Sequence, residues 1–156
     1  MRPDLDAGHA AAQLEAVFRD IAAQRMQGLP IVNPALDVEA VGFRAWQACQ
    51  LGVLVTPWTL GLVLLAGAEG ALEELPLGQQ RDWQFPSGSY AFMGLQDARL
   101  GTCQICPLIS PMHEFSCQAE AREVAREVLH ALFAPVAAPP PPPSRRAFLR
   151  AALPGA

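Results

Sequence analysis

Eight residues, Thr59-Leu-Gly-Leu-Val-Leu-Leu-Ala66, constrain the fold more than any others in the chain. The stretch has the length of a strand and almost no polar face. A half-exposed strand alternates apolar and polar side chains, so one that is apolar on both sides must be covered twice or must offer one side as a binding surface. The longest apolar run, residues 60–68, falls well short of the roughly 18 residues that cross a bilayer as a helix. The chain is therefore not expected to span a membrane.

Periodicity places the remaining elements around this strand. Leu14, Val17, Phe18, Ile21 and Ala22 form one apolar stripe, which predicts a helix over 6–26 with Asp6 as its N-cap, ended by Gly28, Pro30 and Pro34. Strands are expected at 41–47 and 51–56, joined near Cys49-Gln50. In a regular strand Phe43 and Trp46 fall on opposite faces, so a bulge or burial on both sides is expected there. Residues 83–85 lead into the turn Pro86-Ser87-Gly88. Strands at 89–95 and 99–108 form a hairpin with Gln96-Asp97-Ala98 at its tip. Cys117, Ala121, Val124, Val128 and Leu132 stripe a second helix over 116–132, with Ser116 as N-cap and Arg122, Glu123, Arg126 and Glu127 on its wet side. The expected fold is α+β: an antiparallel sheet of about five strands, one face of it covered by an N-terminal and a C-terminal helix.

Residues 1–135 thus read as one domain. Residues 136–143, VAAPPPPP, can form neither helix nor central strand and make a polyproline spacer. Residues 144–156 begin SRRAFLR, and this Pro-rich C-terminal tail is expected to be disordered. The charge divides at the same place. Residues 1–143 hold eight arginines against fifteen acids, a net of −7, whereas the tail holds three arginines and no acid. An acidic body argues against nucleic acid as partner, because phosphate binding needs clustered positive charge. The N-terminus has early acids and no apolar signal region, which points to the cytoplasm and to reduced thiols.

Cys103-Gln-Ile-Cys106 is a C-x-x-C, but it lies in a strand, where positions three apart point to opposite faces. It is the candidate for a metal or redox site, with Cys49, Cys117 or His113 as ligands that only the fold could supply. Ser110 or Cys106 beside His113 offers a nucleophile pair, without an evident orienting group or oxyanion loop. Thr56-Pro57-Trp58 and Trp83-Gln84-Phe85-Pro86 put tryptophan beside proline on turns next to apolar strands. That pattern suits a peptide-binding groove and equally suits core anchors. The tail's arginine pair, followed by Phe148 and Leu149, offers bidentate carboxylate recognition with an apolar contact. It has the form of the twin-arginine signature of an exported redox protein, at the wrong end of the chain to serve as one.

Several segments together resemble one family, the HybE-type assembly chaperones of membrane-bound [NiFe]-hydrogenases: LVTPWTLGLVLL (54–65), WQFPSGSYAFM (83–93), CPLISPMHEF (106–115) followed by a helix, and the arginine-pair tail. The resemblance implies a cytoplasmic maturation factor and not an enzyme. Its client would be the hydrogenase small subunit, which carries a genuine twin-arginine signal, or the large subunit that travels with it, with other maturation chaperones as further partners. No cofactor is implied, and no iron site is carried over from relatives fused to a rubredoxin. The client surface is expected around Pro57, Trp58, Trp83, Phe85, Pro86 and Tyr90. Arg145, Arg146, Phe148 and Leu149 would form a regulatory peptide that imitates the client's signal, with Glu69, Glu73 and Glu74 as an acceptor cluster; a tail that recruits export partners is the competing expectation.

Overall fold

The computed structural model describes residues 3–66, 72, 75, 76 and 78–135. Glu69, Glu73, Glu74, the spacer and the tail lie outside them. Helix α1 spans Pro3–Ile21 and widens into a π-helical turn at Ala22–Met26. Strands β1 (Glu39–Trp46), β2 (Cys49–Val55), β3 (Leu60–Ala66), β4 (Gln80–Phe85), β5 (Gly88–Asp97) and β6 (Gly101–Ile109) follow, and helix α2 (Gln118–Phe133) closes the domain. All six strands pair antiparallel in one sheet, in the order β1-β2-β3-β6-β5-β4.

Strand β3 shows why the apolar run was decisive. Leu60, Leu62 and Leu64 pack with Leu51, Val53, Val128 and Leu132 on the α2 side, whereas Val63 and Leu65 pack with Leu14, Val17 and Phe18 on the α1 side. The two helices therefore lie on opposite faces of the sheet. The one-face arrangement expected from element order is corrected by the same fact that suggested covering: a strand with two apolar faces needs a layer on each. Alternation along β6 divides likewise, with Cys103 on the α1 side and Cys106 and Leu108 on the α2 side.

The sheet has one strand more than the five expected individually. The extra strand, β4, lies at an edge and exposes most of QRDWQF, so its sequence carries no apolar alternation to find. Boundaries elsewhere move by a few residues. The β1–β2 turn is Gln47-Ala48, both at positive φ, and Cys49-Gln50 already belong to β2. The β5–β6 turn runs over 98–100. Its Arg99 pairs with Asp97 and reaches Asp20 of α1 at 2.6 Å. The N-cap of α2 is Cys117, one residue past Ser116, and Cys117 is exposed and not part of the buried stripe. A bulge in β1 follows Val41, where Gly42 adopts φ +67°. It leaves Phe43 against the α1-side cluster and Trp46 against the α2-side cluster.

Close approach fixes another glycine. The chain from β3 to β4 passes over Gly94, where a Cβ would lie 2.2 Å from the Leu75 carbonyl oxygen and 2.8 Å from Leu75 Cβ. Backbone cannot yield as a side-chain tip does. Gly94→Ala is expected to destabilise the domain by about 1–3 kcal/mol, the usual cost of overpacking. Thermal unfolding of the variant followed by circular dichroism measures this.

Candidate functional site

Two motifs far apart in sequence meet at one end of the sheet. In the turn between β2 and β3, Thr56 Oγ1 donates to the Thr59 carbonyl at 3.0 Å and accepts from the amides of Trp58 and Thr59. Thr59 Oγ1 donates to the Ile109 carbonyl at 3.0 Å, and Ser110 Oγ to the Trp58 carbonyl at 3.2 Å. The turn is thereby stitched to the 110–116 loop, which begins with a cis peptide at Ser110-Pro111.

Asn33 completes the junction. It is buried, its amide donates to the Pro57 carbonyl at 2.8 Å, and its Nδ2 donates to the carbonyls of Met112 and Phe115 at 2.9 and 2.8 Å. Its Oδ1 accepts from the amide of Ala35 at 3.0 Å. One residue thus joins three segments, through its backbone N–H to the Pro57 turn and through its side chain to the 110–116 loop, and meets the donor and acceptor needs of that buried loop. Sequence reading passed over it, since Asn-Pro reads only as a helix stop and turn.

The pinned loop presents Glu114 and Phe115 to the first half of α2. Between them lies a groove of about 490 Å³ lined by Glu114, Phe115, Ala119, Glu120, Glu123, Val124 and Glu127. Its floor is apolar, from Phe115 and Val124, and its rim carries four carboxylates. Glu123 pairs with Arg126 at 3.3 Å across two exposed side chains, and Glu120 accepts from Ser116 Oγ. Glu114 and Glu127 have no ion-pair partner among the described residues. A second recess of about 480 Å³, lined by Leu108, Ile109, Ser110, Pro111, His113, Glu114 and Phe115, shares the Glu114-Phe115 wall. Helix α2 is held at this angle by its own start: Arg122 Nε donates to Glu39 at 2.7 Å and Gln118 Nε2 to the same carboxylate at 3.0 Å. The Arg122 bond keeps the Glu39 carboxyl below its usual range.

The six aromatic and proline positions singled out in the sequence divide between two places. Pro57 is buried in the junction, and Trp58 is half-buried against the α1-side cluster. Trp83, Phe85 and Tyr90 lie on the α2 side. There Phe85 stacks on Trp46 at 4.5 Å between centroids and meets Tyr90, Phe92 and Phe133. Trp83 Nε1 donates to Gln104 Oε1 at 2.8 Å. Ser87, next to the exposed Pro86, donates through N and Oγ to the Leu132 carbonyl, which leaves Oγ to accept from Tyr90 at 2.6 Å. Phe85 and Tyr90 are buried, so the surface left open by this group belongs to Trp83, Trp46 and Pro86.

Cys103 and Cys106 sit in different cores on opposite faces and cannot share an ion without rearranging β6. Among the described residues no three His, Cys, Asp or Glu side chains gather as a metal site. Burial pushes the Cys103 thiol up to about 12. A thiol raised in this way stabilises the fold fully below its unfolded value near 9 and loses that contribution as pH rises through 12. Native protein at pH 8 is therefore expected to alkylate at exposed Cys117 and not at Cys103, with both reacting in denaturant; peptide mapping by mass spectrometry reads this directly. Ser110 spends its hydroxyl on the Trp58 carbonyl, and His113 is exposed.

Residues 9–151 match the family model described as [NiFe]-hydrogenase assembly, chaperone, HybE. The chain is 43% identical over 155 residues to the hydrogenase expression/formation protein HoxT of Azotobacter vinelandii, covering 95% of this chain and 99% of that one. It is 41% identical over 137 residues to the protein HoxT of Cupriavidus necator, covering 81% and 76%. The solution structure of HybE from Escherichia coli superposes with a TM-score of 0.66 over 86% of this chain and 84% of that one, at 23% identity, so the fold is shared. Among the described residues no helix is long and apolar enough to cross a membrane.

Proposed function

This chain belongs to the HybE family of [NiFe]-hydrogenase assembly chaperones, and from that membership we propose that it grips the twin-arginine signal of a hydrogenase small subunit in the groove along α2, before export. It works as a binding protein of the cytoplasm, without a catalytic step. The observation that carries this reading is the groove itself: an apolar floor beneath Glu114, Glu120, Glu123 and Glu127 matches a peptide that presents two guanidinium groups followed by apolar side chains. Carboxylates take arginine in paired hydrogen bonds, and an apolar floor partly shields them from water.

The six positions Pro57, Trp58, Trp83, Phe85, Pro86 and Tyr90 make two separate patches, Trp58 with Pro57 on the α1 side and the Trp83–Pro86 group on the α2 side, and these patches serve the body of the client, whether small or large subunit. Trp58, Trp83 and Pro86 make the contact, and buried Pro57, Phe85 and Tyr90 hold them in place. A folding subunit offers apolar surface that half-buried tryptophans suit.

A fluorescent small-subunit signal peptide tests the reading by anisotropy. E114Q/E127Q is expected to weaken binding about tenfold, the scale of two exposed charge-assisted contacts, with melting temperature unchanged. Equal binding to wild type and E114Q/E127Q, or no binding to either, would overturn it.

A further inference from the structure

We infer that the α2 groove is occupied by this chain's own residues 144–156, so that the protein carries a built-in competitor for its binding site. The inference rests on the groove described above, and its function as a signal-binding site on the reading just proposed. Three observations support it.

The first is charge. The groove's rim is four glutamates, whereas residues 144–156 carry Arg145, Arg146 and Arg150 and no acid. Glu123 is paired with Arg126 and feels Arg122, whereas Glu114 and Glu127 have no ion-pair partner among the described residues, so the site has more negative charge than it neutralises. The second is pattern. Phe148 and Leu149 follow the arginine pair, which is the order of groups that an apolar floor of Phe115 and Val124 beneath a carboxylate rim accepts.

The third is reach. The described chain ends at Pro135, just past the C-terminus of α2, and the groove runs back along the same helix from Glu127 to Ala119. Thirteen helical residues separate Phe133 from Glu120, roughly 20 Å at 1.5 Å per residue. Ten residues separate Pro135 from Arg145, about 30 Å at the 3.1 Å per residue of a polyproline chain. The spacer is long enough to return Arg145 and Arg146 to the groove of their own molecule.

A tethered segment of this kind sits at an effective concentration of the order of millimolar. It lowers the apparent affinity of any external peptide for the same groove without abolishing it, because the tail can be displaced.

The test uses the full chain and no client. In ¹⁵N-labelled protein at low salt, R145Q/R146Q is expected to shift the amide resonances of Glu114, Phe115 and residues 119–127 relative to wild type. The differences should be independent of protein concentration and should shrink as salt screens the contact. Shifts confined to residues 136–156 would overturn the inference, as would groove shifts that grow with concentration, since those place the tail in a second copy. A companion titration separates this inference from the functional reading. R145Q/R146Q is expected to bind the fluorescent signal peptide about three- to tenfold more tightly than wild type. Unchanged affinity in R145Q/R146Q, together with the loss in E114Q/E127Q, would remove the internal competitor and leave the signal-binding reading standing. Groove shifts without any signal-peptide binding would do the reverse.

Discussion

Asn33→Ala is expected to lower the stability of the domain by about 3 kcal/mol, the sum of hydrogen bonds lost and of buried carbonyls left without a donor. For a chain of this size that is a fall in melting temperature of roughly 6–12 °C. The side chain is 7% exposed, and it supplies the donors for the Met112 and Phe115 carbonyls as well as the acceptor for the Ala35 amide. The isosteric Asn33→Asp should cost at least as much, because it sets an oxygen against two carbonyl oxygens while preserving shape. If the aspartate variant melts like wild type, packing and not hydrogen bonding holds the loop. Both substitutions also release Glu114 and Phe115 from their position beside α2, so the signal-peptide binding proposed above should weaken along with the loss of stability.

Phe85→Ala is expected to cost about 3–5 kcal/mol, the usual range for emptying a buried phenylalanine site. Phe85 is 6% exposed and contacts Trp46, Tyr90, Phe92 and Phe133. Trp46 and Phe133 come from β1 and α2, which cannot follow a shrinking β4 without breaking their own pairings, so the cavity should persist. Denaturant unfolding gives the energy, and intrinsic fluorescence should shift to the red as Trp46 and Trp83 meet water. Leu29→Ala, at a side chain 44% exposed, provides the contrast and should change stability by less than about 0.5 kcal/mol.

Much of this architecture could be read from local pattern. The two-faced apolar run of β3, the stripe of Leu14, Val17 and Phe18, and that of Ala121, Val124, Val128 and Leu132 all report burial through their spacing, and all are buried. The separation of Cys103 from Cys106 follows from the period of a strand. What pattern does not report is juxtaposition across long loops. Asn33 finds its partners 79 and 82 residues away. Glu123 and Glu127 read as an ordinary wet helix face until the fold brings Glu114 and Phe115 beside them. Placing both helices on one face failed for the same reason, since element order records which strands are neighbours and not which side a connection crosses.

The meeting of Trp46 with Trp83 and Phe85 has a further consequence. Strands β1 and β4 are the two margins of a six-stranded sheet, the places where unpaired amides and carbonyls could recruit another extended chain. Curling brings these margins together over the end of α2, and Arg44 and Arg81 lie over the rings of Phe133 and Trp83 there. Charge and aromatic bulk at both rims discourage strand addition. A hydrogenase assembly chaperone that holds a client as proposed above is thereby protected from strand addition at its own margins.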